Sequence, residues 1–303
     1  MAERAARMIA LKSALAGCAL AFAAAPAVHA AQPAPDFSGR WGRNAFDLEP
    51  LPSGLKPISN LQRLETGSGD PQRPIADYNN PLLTPKAAAI VKQRSEAAAK
   101  GDVFADPSNQ CAPYPVPFIF GMQLGMNMFQ SKDKITFLYN QDSQVRHVRL
   151  NGAHPTKLTP SWKGDSIAHY EGDTLVIDTV GIKTGPDAVA DRYGMPVSEG
   201  IHVVERYRLI DAAEAKAAQE RHEKNNGRVG GPQGAMPIDA AYGKGLQLHL
   251  TIENPGYYAQ PLTATVTYRR ATMPWQELVC AENTFEYYSG KHTPIPTAQR
   301  PDF

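Results

Sequence analysis

Residues 160–181 read P-S-W-K-G-D-S-I-A-H-Y-E-G-D-T-L-V-I-D-T-V-G. The pattern predicts a β-hairpin, with 166–171 as one arm, Gly172-Asp173 as the reversal and 174–181 as the other arm. Glycine in a two-residue reversal supplies the positive φ that matches strand twist, and Leu175, Val176, Ile177 and Val180 favour an extended chain. Asp165, His169, Glu171, Asp173 and Asp178 crowd the same stretch. Four of these five are carboxylates, so the hairpin either faces water or carries a polar site.

Further strands flank it on both sides. Residues 134–139 and 145–150 precede it, with Asn151-Gly152 as a turn signal after them. Residues 202–210, 246–252, 262–269 and 277–281 follow. Leu246, Leu248, Leu250 and Ile252 alternate with Gln247, His249 and Thr251, the period of a half-buried strand. Leu262, Ala264, Val266 and Tyr268 alternate in the same way with threonines. About eight or nine strands joined in sequence predict an all-β, antiparallel up-and-down barrel, because an open sheet would leave exposed edges.

Two helices lie outside the strand pattern. Thr84-Pro85 is a helix start, with a capping hydroxyl before proline at the first helical position, and 86–100 is alanine-rich up to Gly101. Few large apolar residues (Ile90, Val91) make it a lid or outer brace. A second helix is predicted over 211–225, with Asp211 and Glu214 spaced as a capping box. Residues 46–85, rich in Pro, Gly, Asn and Asp, predict a long excursion with little regular structure.

The first 30 residues read as a secretory signal. Arg4, Arg7 and Lys12 precede an apolar run, and Val28-His29-Ala30 offers small residues at a cleavage site. Leu15-Ala16-Gly17-Cys18 is the competing reading, a lipoprotein processing box. The run is too short for a retained membrane span. Residues 31–290 then form a single barrel domain, with the helical insertion 212–244 at its periphery and 291–303 as a flexible tail. Removal of the leader takes three of 31 basic and one of 30 acidic residues, leaving a net charge near −1. That balance gives no electrostatic reason to expect nucleic acid. Cys111 and Cys280 remain, a disulfide pair in an oxidising compartment or else two buried thiols, and a periplasmic or secreted location follows from the leader.

The segment Trp162-x-Gly164-Asp165-Ser166 with Glu171-Gly172-Asp173-Thr174-Leu175-Val176-Ile177-Asp178-Thr179 resembles the W-x-G-D-S…W-E-G-D-T-L-V-V-D-T core of a large family of exported bacterial proteins, mostly of unassigned function. His202-Val203-Val204-Glu205-Arg206, Thr251 to Pro255 and Cys280 to Asn283 fit the same family. The resemblance implies a lipocalin-like barrel, as does Gly39-Arg40-Trp41, which is similar to the opening strand whose tryptophan plugs one barrel end. Tyr170 stands where the family has tryptophan. The loop 151–155 is one residue shorter than D-G-R-x-H-P and lacks its arginine, and 215–244 is an insertion.

The candidate chemistry gathers on His154, Asp165, Glu171, His202 and Arg206. If the even face of strand 202–210 points inward, His202 and Arg206 are buried and need partners. A carboxylate-held histidine could then act as general base, with arginine stabilising an enolate-like anion. The plainer alternative has Arg206 closing the barrel base against a carboxylate. No resident cofactor is predicted. HxH and HExxH spacings are absent, so a divalent metal would need His154, His202 and His249 to meet across strands. Phe118, Phe120, Met122, Met126, Tyr139, Tyr207 and Tyr268 are candidate walls for a small hydrophobic or aromatic molecule. Met122, Met126 and Met128 read as such a wall rather than a Cu(I) site. Together these residues suggest a lyase, isomerase or hydrolase, or a non-catalytic binding protein. The sequence sets no oligomeric state.

Overall fold

The computed structural model describes residues 34–70, 73–102, 104–122, 124–229, 236–275, 277–280, 285–286 and 291–292. The leader and all of the tail except Lys291 and His292 lie outside the described residues. Strand β1 (Gly39–Gly42) pairs with β3 (Gly125–Gln130), and the sheet continues through β4 (Lys134–Tyr139), β5 (Val145–Leu150), β6 (Asp165–Glu171), β7 (Thr174–Val180), β8 (His202–Asp211), β9 (Lys244–Glu253) and β10 (Leu262–Arg270). It closes where Trp41 pairs with Met126 on one side and Arg270 on the other. The two-residue β2 (Glu49–Pro50) adds a short edge against β10. The expected all-β barrel is therefore present, with nine strands around the ring.

One pairing departs from the up-and-down expectation. β5 and β6 run parallel, joined by only two registered pairs, Arg149 with Ile167 and Leu150 with Ala168. Asn151 adopts a positive φ of 54°, but 152–164 then carries the chain back so that β6 starts parallel to β5 instead of forming an antiparallel neighbour. A parallel neighbour requires such a crossover. The predicted hairpin follows directly. Glu171 pairs with Thr174 around Gly172, whose φ is 62°.

Strand alternation fills the barrel with side chains. Leu246, Leu248, Leu250 and Ile252 point in from β9, and Leu262, Ala264, Val266 and Tyr268 from β10; all are at most 2 % exposed. Trp41 is fully buried, and its indole donates to the Phe37 carbonyl at 2.9 Å. Each such aromatic or aliphatic group contributes roughly 1.5–3 kcal/mol by leaving water.

Helix α2 (Pro85–Ala99) begins as expected, with the Thr84 hydroxyl accepting from Ala87 N, and buries Ala87 and Val91 in the core. Helix α4 (Ala212–Asn226) packs on β8, β9 and β10. Its expected capping box does not form: the Asp211 carboxylate accepts from Lys244 at 2.7 Å instead. Gly245 lets α4 approach, since a Cβ there would lie 2.2 Å from the Ala215 Cβ. The 46–85 excursion is more ordered than its composition suggests. It holds β2 and α1 (Leu61–Thr66), which is capped by Asn60 accepting from Arg63 N. The apolar stretch after Pro117 splits into α3 (Phe118–Met122) and β3. Residues 277–280 are irregular rather than a last strand, but Cys280 there is disulfide-bonded to Cys111 across 169 positions.

Candidate functional site

β8 faces the opposite way from the conditional reading. Val203, Glu205 and Tyr207 are fully buried, while Arg206 lies outside with its side chain 46 % exposed. The reason is in the register. Glu205 pairs with Ile177 and Leu250, and Tyr207 with Leu175 and Leu248, all inward residues. The even face carries three basic groups, His202, Arg206 and Arg208; the odd face carries one buried charge, Glu205, and that charge has a partner.

The partner is Arg146 on β5. Its guanidinium meets Glu205 at 2.6 and 3.0 Å, the Thr179 hydroxyl at 2.8 Å and the Ser166 hydroxyl at 3.0 Å. Tyr207 donates to the same carboxylate at 3.0 Å. The interior arginine proposed for position 206 is thus Arg146. Arg206 instead pairs with Glu171 at 2.6 Å on the outside, where His169 also reaches Glu171. These contacts, Arg206 first, hold the Glu171 carboxyl below the usual range.

Three of the five candidate catalytic residues do come together, on the outer face. Asp165 and Ser166 are neighbours in sequence but point to opposite sides of β6. Arg149 grips Asp165 with two bonds of 2.7 and 2.9 Å and donates to the Ala153 carbonyl. His154 lies between Asp165 Oδ1 (2.6 Å) and Asp178 Oδ1 (2.9 Å). His202 meets the other oxygen of Asp178 at 2.9 Å and Glu253 at 3.6 Å. The Arg149 hydrogen bonds and then His154 keep the Asp165 carboxyl low. Burial pushes Asp178 up, but His202 and His154 together outweigh it and bring it below its ordinary value. This hydrogen-bonded string of arginine, carboxylates and imidazoles runs from β5 to β9 and closes over the short parallel β5–β6 seam, as Arg146 does from inside. It runs in a line, and among the described residues no group of three or more His, Cys, Asp or Glu converges to hold a metal ion.

The expected ligand walls are core residues. Phe118, Phe120, Met126, Tyr139, Tyr207 and Tyr268 are at most 1 % exposed, and Met122 packs half-buried against them. Phe137 stacks on Tyr139 and tilts against Tyr207 within 6 Å.

A cleft lies elsewhere, about 400 Å³ including the part open to solvent. Leu48, Pro57, Ile58, Pro117, Ile252 and Leu262 give it an apolar surface, and Asp47, Asp191, Arg192, Tyr193 and Tyr258 bring polar groups. Asp47 adopts a φ of 68°, a conformation that L side chains seldom take. Buried Arg43 supports this bend by donating to the carbonyls of Ala45, Phe120 and Asp47. Helix α4 clamps the same segment: Gln219 donates to the Gly42 carbonyl at 2.8 Å, His222 meets the Phe46 carbonyl at 2.7 Å, and Arg221 reaches Glu49 at 2.7 Å.

The Asp47 carboxylate accepts from the Tyr193 hydroxyl at 3.1 Å and lies 3.8 Å from Arg192. Burial raises its pKa against the pull of Arg192. Asp191 accepts from the Tyr193 and Met195 amides at 2.9 and 3.2 Å. Burial pushes it up to about 6, with repulsion from Asp47 adding to the shift. A cleft holding two carboxyls with raised pKa beside an arginine has the composition of an acid–base site. Asp47, Asp191, Arg192 and Tyr193 were not singled out from sequence. The two segments are far apart in sequence, and Asp191-Arg192-Tyr193-Gly194 carries no catalytic motif.

The chain matches no family model and no curated protein. No helix among the described residues is long and apolar enough to cross a membrane.

Proposed function

We propose that the protein is an exported barrel that receives a small, mostly apolar molecule in the Asp47–Asp191 cleft and moves a proton on it, as a lyase or isomerase does. The observation that carries this reading is the placement of the Asp191 carboxyl beside Asp47 and Arg192 in a cleft with largely apolar walls, where burial pushes it up to about 6. A group titrating near working pH can both take and return a proton. At pH 7 roughly nine-tenths of it is carboxylate, the form that acts as base. Arg192 lines the same cleft and supplies positive charge for an anion developing on the substrate. Tyr193, engaged with Asp47, orients that carboxylate. The resemblance to exported proteins and the Cys111–Cys280 bond support an oxidising compartment.

A second reading places the base on the outer face, at His154 or His202, because one carboxylate, Asp178, bridges both imidazoles. Incubation with apolar ketones and alkenols in D2O, followed by mass spectrometry, distinguishes the two. The cleft reading expects exchange or conversion that rises through about pH 6 and falls at least about 100-fold in Asp191→Asn, with binding retained. Loss of turnover in His154→Ala or His202→Ala alone would move the site to the outer face. Binding without turnover in every variant would leave a carrier.

A further inference from the structure

Lys163 sits in the turn between Ser161 and Gly164, just before β6, and the acid–base reading of the cleft does not use it. Its amine donates to the Tyr114 carbonyl and to Gln144 Oε1, the latter at 2.7 Å. The ring of Tyr139 lies beneath it, 5.3 Å from Nζ to the centroid. Among the described residues no carboxylate lies within ion-pairing distance of Lys163. The nearby charge is Arg146, of the same sign, whose own counter-ion Glu205 is bonded to it and to Tyr207.

Two N–H groups on two carbonyl oxygens satisfy a neutral amine and leave its lone pair free. A third proton would have only the aromatic face, with Arg146 opposing it. Burial, and then Arg146, bring the Lys163 pKa down to about 6, in line with this geometry. The hydroxyl of Tyr139 is buried and makes no hydrogen bond. Burial raises the pKa of that hydroxyl, so it keeps its proton.

We propose that Lys163 is a carbonyl-reactive amine, a site at which a small aldehyde or ketone condenses on Nζ. The Nζ lone pair adds to the carbonyl carbon, and the amine proton moves to the carbonyl oxygen to give a carbinolamine. Departure of that oxygen as water leaves an imine, and water reverses the step. No oxidant or reductant is consumed. The site is independent of the Asp47–Asp191 cleft.

Reductive trapping tests this on the intact chain. The protein is exposed briefly to limiting formaldehyde and cyanoborohydride, which delivers hydride to the imine, and methylation at each lysine is read by peptide mass spectrometry from pH 6 to 9. A solvated lysine holds its proton to about pH 10, so its rate climbs roughly tenfold per pH unit over this range. The expected result is that at pH 7 Lys163 is modified at least about tenfold faster than exposed Lys132, Lys157 and Lys183, and that its rate is level above pH 7. Propanal in place of formaldehyde should leave the same order. A rate at Lys163 that climbs in parallel with the exposed lysines, or that stays below theirs at pH 7, would overturn the proposal. Lys163→Met should lose the fast adduct and leave the other lysines unchanged, a control that does not alter the wild-type criterion.

Discussion

Arg146 and Glu205, 59 positions apart, meet inside the barrel through paired guanidinium–carboxylate bonds of 2.6 and 3.0 Å, with side chains at most 1 % exposed. Ser166, Thr179 and Tyr207 take up the remaining polar valences. An ion pair in such surroundings is costly to break from one side, because the surviving charge is left buried and unpaired. Arg146→Met should therefore destabilise the fold by about 3–5 kcal/mol. Arg146→Met with Glu205→Leu should recover much of that loss. Urea denaturation of the wild type, each single variant and the double variant measures the coupling.

The outer string depends on pH in one direction. Asp165 and Asp178 have folded pKa values below their ordinary ones. Their contribution is present above the unfolded value of about 4 and is lost as pH falls through the lower folded values. Asp178→Asn should cost about 1 kcal/mol or less at pH 7, because the pair is partly exposed and screened, and it should flatten the acid side of the stability curve. Chemical denaturation between pH 2.5 and 5 tests the slope.

His222, on the buried face of helix α4, responds over a higher range. Burial lowers its pKa to about 3, against about 6.5 in the unfolded chain. The unfolded state takes up the proton first as pH falls, so stability declines from about pH 6.5 toward 3 by roughly 1.4 kcal/mol per unit. His222→Gln retains a donor for the Phe46 carbonyl and should remove this slope.

Asp191 has the opposite sign. Its pKa is raised, to about 6, so the folded state favours the neutral carboxyl and stability falls as pH rises from about 4 through 6. Asp191→Asn should then be more stable than wild type at pH 8, by about 1–3 kcal/mol, while losing the proposed activity. Melting temperatures at pH 4.5 and 8 compare the two proteins.

Much of the barrel was legible because its information is local. Gly172-Asp173 specifies a reversal, and the sequences of β9 and β10 alternate apolar with polar residues, the apolar set being the one buried in the barrel. The inward face of β8 was less accessible: over His202 to Arg206 each face carries an apolar residue and a charge, and only Arg208 and the Arg146 partner across the barrel break the balance. The parallel β5–β6 seam was not readable, since Asn151-Gly152 announces a turn without saying where the chain goes next. The outer string was half readable, with Asp178 standing in the quoted motif but its two histidines brought by other segments. The cleft was hidden altogether. Tyr193 and Asp47 are 146 positions apart, and the bend at Asp47 is held by Arg43 and by the helix of the insertion, whose contacts with this segment span 176 and 177 positions.

The titration of the Asp191 side chain tests the functional account most directly. Carboxyl carbon chemical shifts in 13C-labelled protein, assigned by comparison with Asp191→Asn, follow that group alone. The account predicts a midpoint near pH 6 for Asp191, with a small sympathetic shift at Asp47. A midpoint near 4, where a solvated aspartate titrates, would contradict it and leave the cleft without its base.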